Sequence, residues 1–297
     1  MHVPRFFLAL FALLALAACG APASQSNPAA APIIPVLAAS ELTTGVNRMP
    51  FGLLQAGTPL NNPDLSVGVR LFYVEGADKD TPRAETEAVY RAQGLPVGLY
   101  VAYATFDQPG AWEAELSIPQ PSGQPQVSRL RLDVLPEPYA PRVGGKAIAS
   151  DTPTAATADL SQITSDPNPD PDLYQISVAD AIAAGKPFLV AFSTPGYCQT
   201  AVCGPNLTVI KQIKEQHKAE VNFIHVEVYP YPFGESFEAG RRVPAMEEWN
   251  LRTEPWTFLV DAQGIIQARY EGGITLAELE PAVAQLAAGQ PITPDQP

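Results

Sequence analysis

Phe188-Leu189-Val190-Ala191-Phe192-Ser193-Thr194-Pro195-Gly196-Tyr197-Cys198-Gln199-Thr200-Ala201-Val202-Cys203-Gly204-Pro205 decides how the C-terminal part of this chain is read. Its first five residues are a continuous apolar run, the pattern of a strand buried on both faces. Its end leads into residues 206–218, where Leu207, Ile210, Ile213 and Lys214 recur at helical spacing. Pro205 suits the first helical position, where its missing N–H has no helical partner to lose. The helix is therefore expected to begin beside Cys203, with Cys198 on the loop before it. Geometry points the same way. Four residues separate the cysteines, and five residues of helix rise about 7.5 Å, whereas bridged cysteines hold their Cα atoms roughly 4.4 to 6.8 Å apart. A bridged pair cannot share one regular helix here.

Working outward, Ser177 can cap a short helix over 178–184 that Gly185 closes. Residues 221–228 form a second buried strand, followed by a short helix near 245–249. Pro255 leads a strand to Val260, Asp261-Ala262-Gln263-Gly264 turns it, residues 265–270 return, and a last helix spans about 276–286. This order resembles the thioredoxin fold over essentially all of a domain placed at 173–288. Tyr197-Cys198 stands where that family has aromatic-Cys. Trp249-Asn250-Leu251-Arg252-Thr253-Glu254-Pro255 stands where it has an aromatic residue, Gly-Ile-Arg and a cis-proline. The resemblance implies a cis Glu254–Pro255 bond, a peptide substrate pairing with the backbone of Glu254, and substrate contacts from Tyr197, Glu254 and Pro255.

Two departures accompany the resemblance. Thioredoxins space their cysteines by two residues, and the spacing of four here is closer to SCO-like and peroxiredoxin-like branches. Thioredoxins also carry a buried acid where this chain has Ala191, and Glu254 or Glu227 are the candidates to replace it. The attacking sulfur is open between two arguments. A helix N-terminus favours the thiolate of Cys203, while the resemblance aligns the attacking residue with Cys198. The expectation adopted is Cys198 as nucleophile and Cys203 as resolving partner.

Near the N-terminus, Arg5 precedes an uncharged apolar run from Phe6 to Leu16, then Ala17-Ala18-Cys19-Gly20. Residues 1–18 read as a signal peptide, too short in its apolar part for a retained span. Leu16-Ala17-Ala18-Cys19 resembles the lipobox of bacterial lipoproteins, which implies lipid on Cys19, an extracytoplasmic location and a membrane anchor. Residues 19–42, rich in Ala, Pro, Ser and Asn, read as a tether, residues 136–172 as a Pro-rich linker, and residues 289–297 as a loose tail.

Between tether and linker, 43–135 reads as an all-β domain. Leu65 to Leu71, Trp112 to Ile118 and Arg129 to Val134 alternate apolar with polar or small residues, as half-buried strands do. Gly98-Leu99-Tyr100 together with Pro109-Gly110-Ala111-Trp112 resembles a hairpin of YtkA-like, immunoglobulin-like extracytoplasmic domains. That implies a sandwich with Trp112 in its core, serving as a spacer or docking module.

Acidic residues number 31 against 18 Lys and Arg, a net charge of −13. Such a chain repels nucleic-acid phosphates. The functional expectation is a membrane-anchored thiol-disulfide oxidoreductase acting on protein thiols or disulfides outside the cytoplasm, without a cofactor. The alternatives are a non-catalytic binding module with a structural disulfide, since a lone pair in an oxidising compartment is often structural, and an SCO-like copper-handling protein. Against copper, His217 reads as a surface residue and His225 as a core residue.

Overall fold

A computed structural model describes residues 31–121 and 123–293. The stretch read as a signal peptide and lipobox, Cys19 included, lies outside the described residues. From Pro32 onward the described chain folds as one compact unit.

The N-terminal part holds β1 (Ile33–Leu37), β2 (Leu42–Thr43), β3 (Gly45–Gln55), β4 (Thr58–Pro59), β5 (Val67–Tyr73), β6 (Ala84–Arg91), β7 (Leu99–Phe106), β8 (Gly110–Ile118) and β9 (Gln126–Leu135). Their order is β1-β3-β7-β6-β5-β8-β9-β2, with β4 beside β3. β6 is the corner: residues 84–88 pair with β5 and residues 89–91 with β7. The sheet thereby folds over on itself into a sandwich around Met49, Phe51, Val69, Leu71, Tyr100, Trp112 and Leu116. Alternation supplies that core, because every second side chain of a strand faces inward. Trp112 is buried with its ring edge-on to Phe106, and its Nε1–H donates to the Gln108 carbonyl. It is a core residue, as expected.

The tether expected through residue 42 is corrected by β1, whose five residues pair antiparallel with β3. Ile33 also exchanges hydrogen bonds with the Gln126 side chain at the head of β9. Composition hid this strand among prolines and alanines, although Ile33, Ile34, Val36 and Leu37 are good strand formers.

The C-terminal part contains α1 (Leu160–Ile163), α2 (Val178–Ala184), β10 (Phe188–Ser193), α3 (Cys203–His217), β11 (Asn222–Glu227), α4 (Pro244–Glu248), β12 (Trp256–Val260), β13 (Ile266–Glu271) and α5 (Leu276–Ala287). The sheet order is β11-β10-β12-β13, with β10 parallel to β11 and the other pairs antiparallel. β10 is buried throughout and its alternation sorts the two layers. Leu189 and Ala191 face α3 and α5, while Phe188, Val190 and Phe192 face α2, α4 and Trp249. Ser177 caps α2 and Gly185, at φ 63°, ends it in the left-handed conformation that glycine accepts without strain.

Residues 136–172 are also corrected: they are packed structure, not a spacer. Gly144 and Ala147 donate to the carbonyls of Ile266 and Gly264, adding an edge to the returning strand. Ala140, Ser150, Thr152, Ile163 and Thr164 are buried. Proline suits such extended edge segments, because its fixed φ is already extended and an edge leaves one N–H side unused.

The two parts are joined by buried charge. Arg48 of β3 pairs with Glu278 of α5 at 2.8 Å, their side chains 7% and 1% exposed. The same guanidinium donates to the carbonyls of Glu271 and Gly273. A second pair, Arg269 with Glu41 at 2.6 Å, lies along the same seam. Burying a charge is tolerated when it is paired and its remaining donors are used, and both conditions hold for Arg48.

Candidate functional site

The expected geometry of the cysteine loop is realised. α3 starts at Cys203, and Cys198 lies on the loop before it, with the two joined by a disulfide whose Cα atoms are 6.0 Å apart. Pro205 is the third helical residue rather than the first, a position whose N–H would also lack a helical acceptor. Ala201, at φ 57°, turns the loop through a left-handed residue. The turn brings the helix end back onto the first cysteine.

The backbone N–H of Cys203 donates to Sγ of Cys198 at 3.3 Å, and the Thr200 hydroxyl lies 3.3 Å from the same sulfur. Cys203 itself is fully buried, whereas Cys198 is half-buried. The helix N-terminus, whose free N–H groups stabilise negative charge, directs its first donor at Cys198, so exposure and electrostatics favour the same sulfur.

Across the disulfide stands the loop before β12. The Glu254–Pro255 bond is cis, as the resemblance implied. Oε2 of Glu254 lies 4.0 Å from Sγ of Cys203. Burial, then the Glu227 carboxylate, push the Glu254 pKa up to about 7, against Arg242, the Tyr229 hydroxyl and the Thr194 backbone, which all favour the charged form. Glu227 is otherwise engaged: its Oε2 accepts from the Ser165 N–H at 2.7 Å and the Ser165 hydroxyl at 2.6 Å. Of the two acids considered as replacements at Ala191, Glu254 is the one placed against a cysteine.

Tyr197 does not stand free over the disulfide. Its ring stacks on Phe237 at 3.6 Å, and its hydroxyl accepts from the N–H of Gly234. Phe233 and Tyr231 extend the row, and Tyr229 packs edge-on to Phe237. Sequence reasoning passed over this loop, although Tyr229-Pro230-Tyr231-Pro232-Phe233 is a conspicuous aromatic run. Ser165 was missed as well. Its hydroxyl accepts from the N–H of Gly196, and a Cβ at Gly196 would come within 2.9 Å of Ser165. That close approach fixes the loop from beneath.

The histidines lie apart from the sulfurs. His225 bonds Tyr174 through Nδ1 at 2.7 Å and Ser193 through Nε2, and burial lowers its pKa. His217 sits at the far end of α3, with Nε2 3.9 Å from Glu280. Among the described residues no group of three or more His, Cys, Asp or Glu side chains is placed to hold a metal ion.

No curated protein matches the chain. Among solved structures it is similar to a DUF4426 family protein from Pseudomonas aeruginosa PAO1, at 9% identity over 32% of this chain and 77% of that one, with a TM-score of 0.23. The PmoD soluble domain from Methylocystis sp. ATCC 49242 (Rockwell) is similar at 17% identity over 32% of this chain and 76% of that one, with a TM-score of 0.21. MtrC from Shewanella baltica OS185 is similar at 14% identity over 41% of this chain and 24% of that one, with a TM-score of 0.25. Likeness at those scores decides nothing about this chain. The family model described as a thioredoxin-like domain matches residues 174–287. With the sheet order, the disulfide at the head of α3 and the cis-proline loop opposite, that match makes the C-terminal part of this chain a thioredoxin-like domain, a fold consistent with redox chemistry.

Proposed function

We propose that this protein is a thiol-disulfide oxidoreductase that acts on protein thiols or disulfides outside the cytoplasm, held at a membrane by lipid on Cys19. One observation carries the chemical part: the half-buried Cys198 sulfur, bridged to the buried Cys203, receives the first N–H of α3. A thiolate released there is stabilised as a leaving group and as a nucleophile, the property that sets exchange rates. In this reading Cys198 forms the mixed disulfide and Cys203 resolves it. In the same reading Tyr197, Glu254 and Pro255 border the place where a partner's chain would lie, and the backbone of Glu254 would pair with it. The anchoring part rests on Leu16-Ala17-Ala18-Cys19.

The test is trapping. Cys203→Ser should accumulate mixed disulfides through Cys198 that a thiol reductant releases, and Cys198→Ser should not. A disulfide that yields to a thiol reductant only when the chain unfolds would favour the rival reading, a non-catalytic binding module, to which the apolar Ala191 lends some support. Cys19→Ser should move the protein from the membrane fraction to the soluble one.

A further inference from the structure

A buried sulfur that gains and loses a proton needs a partner to exchange it with, because bulk water does not reach it. Cys203 is such a sulfur, at 0% exposure, and Ala191 of β10, likewise buried, has no titratable group to offer. A carboxyl does reach it from the opposite loop, where Oε2 of Glu254 stands 4.0 Å from Sγ. The Tyr229 hydroxyl, the Thr194 backbone, Glu227 at the end of β11 and Arg242 from the loop before α4 all face that carboxyl. We propose that Glu254 is the catalytic proton donor and acceptor for Cys203 during exchange, an inference that rests on the redox reading above.

The step balances as follows. A partner thiolate attacks Sγ of Cys198, a new S–S bond forms, and the Cys198–Cys203 bond breaks with its electron pair going to Cys203. The Glu254 carboxylic acid gives its proton to that sulfur, leaving a Cys203 thiol and a Glu254 carboxylate. A second partner thiolate then attacks the partner's own sulfur in the mixed disulfide and expels Cys198 as thiolate. The partner loses two electrons and becomes a disulfide, while this pair gains two and becomes a Cys198 thiolate and a Cys203 thiol. In the reverse direction the Glu254 carboxylate takes the Cys203 proton as that sulfur attacks Cys198. Placing Glu254 near pH 7 gives it both forms in useful amounts, the condition under which acid and base catalysis are most efficient.

Reduction of the disulfide in the full chain by dithiothreitol, acid-quenched and read by mass, tests the assignment across pH 5 to 9 with the reductant's own ionisation divided out. The wild-type rate should fall above an inflection near pH 7. Glu254→Gln should remove that inflection and slow the reaction below it about 100-fold, the lower end of general-acid effects, because a thiolate is already a fair leaving group. Glu254→Asp should keep the inflection, and it carries the test if Glu254→Gln misfolds. An inflection that persists in folded Glu254→Gln, or vanishes in folded Glu254→Asp, overturns the proposal and leaves the redox reading intact. A wild-type disulfide reducible only on unfolding overturns both.

Discussion

The backbone N–H of Cys203 points at Sγ of Cys198, 3.3 Å away, so the first donor of α3 serves the neighbouring cysteine rather than its own side chain. In the reduced protein the same donor, with the Thr200 hydroxyl, should hold the Cys198 thiolate. Iodoacetamide should therefore modify Cys198 at least about tenfold faster than Cys203 at neutral pH. Peptide mass mapping of a time course reads both rates, and equal rates would place the activated sulfur elsewhere.

Gly196 passes so close to Ser165 that no side chain fits between them. Gly196→Ala should destabilise the fold by about 1–3 kcal/mol, the usual cost of overpacking, and should raise the exposure of Cys203 by lifting the loop. Urea denaturation and the iodoacetamide rate at Cys203 would register the two effects separately.

Arg48 and Glu278 are both buried in the seam between the β-sandwich and α5. Although burial alone would raise the Glu278 pKa, the Arg48 charge and hydrogen bond hold it below the ordinary carboxylate value. A depressed carboxylate contributes stability above its unfolded pKa and loses it as pH falls through the lower folded value. Arg48→Ala should cost about 3–5 kcal/mol at pH 7, since it strands a buried charge. Arg48→Met combined with Glu278→Gln should cost less than Arg48→Ala alone, which denaturant titration can resolve.

Glu254 has the opposite sign. Its folded pKa, about 7, stands above the ordinary value of 4.5, so between those values the folded state binds more protons than the unfolded one. Stability accordingly declines as pH rises through that window. Glu254→Gln should flatten the decline and be more stable than wild type above pH 7, relative to their difference at pH 4.5. Thermal melts at matched pH values measure it, and parallel curves for the two proteins would contradict it.

The thioredoxin-like part was largely legible because its elements announce themselves locally. Phe188 to Phe192 is apolar without interruption, Ser177 and Gly185 bracket α2, and Pro205 together with the cysteine spacing placed Cys198 off the helix. Lys214 shows how far periodicity can be trusted: a cation at a helical core position proved buried, its amine held by Asp170, Asp172 and Glu215. Contacts distant in sequence were harder. Ser165 under Gly196, and Arg48 against Glu278, join residues whose neighbours give no hint of each other. The segment 136–172 misled for a related reason. Its prolines and small polar residues have the composition of a spacer, and only the edge it pairs with and the apolar surface it covers turn it into structure.

Glu278 answers two demands at once. Besides meeting Arg48, it closes the capping box of α5, accepting from Thr275 while the Thr275 side chain accepts from the backbone of Glu278. One carboxylate thus both starts the last helix of the thioredoxin-like part and neutralises a cation of the β-sandwich. Inheritance of the two parts is tied together as a result. A recombination that exchanged either part for a foreign relative would have to bring a matching residue across the seam, or leave a charge stranded at the head of α5.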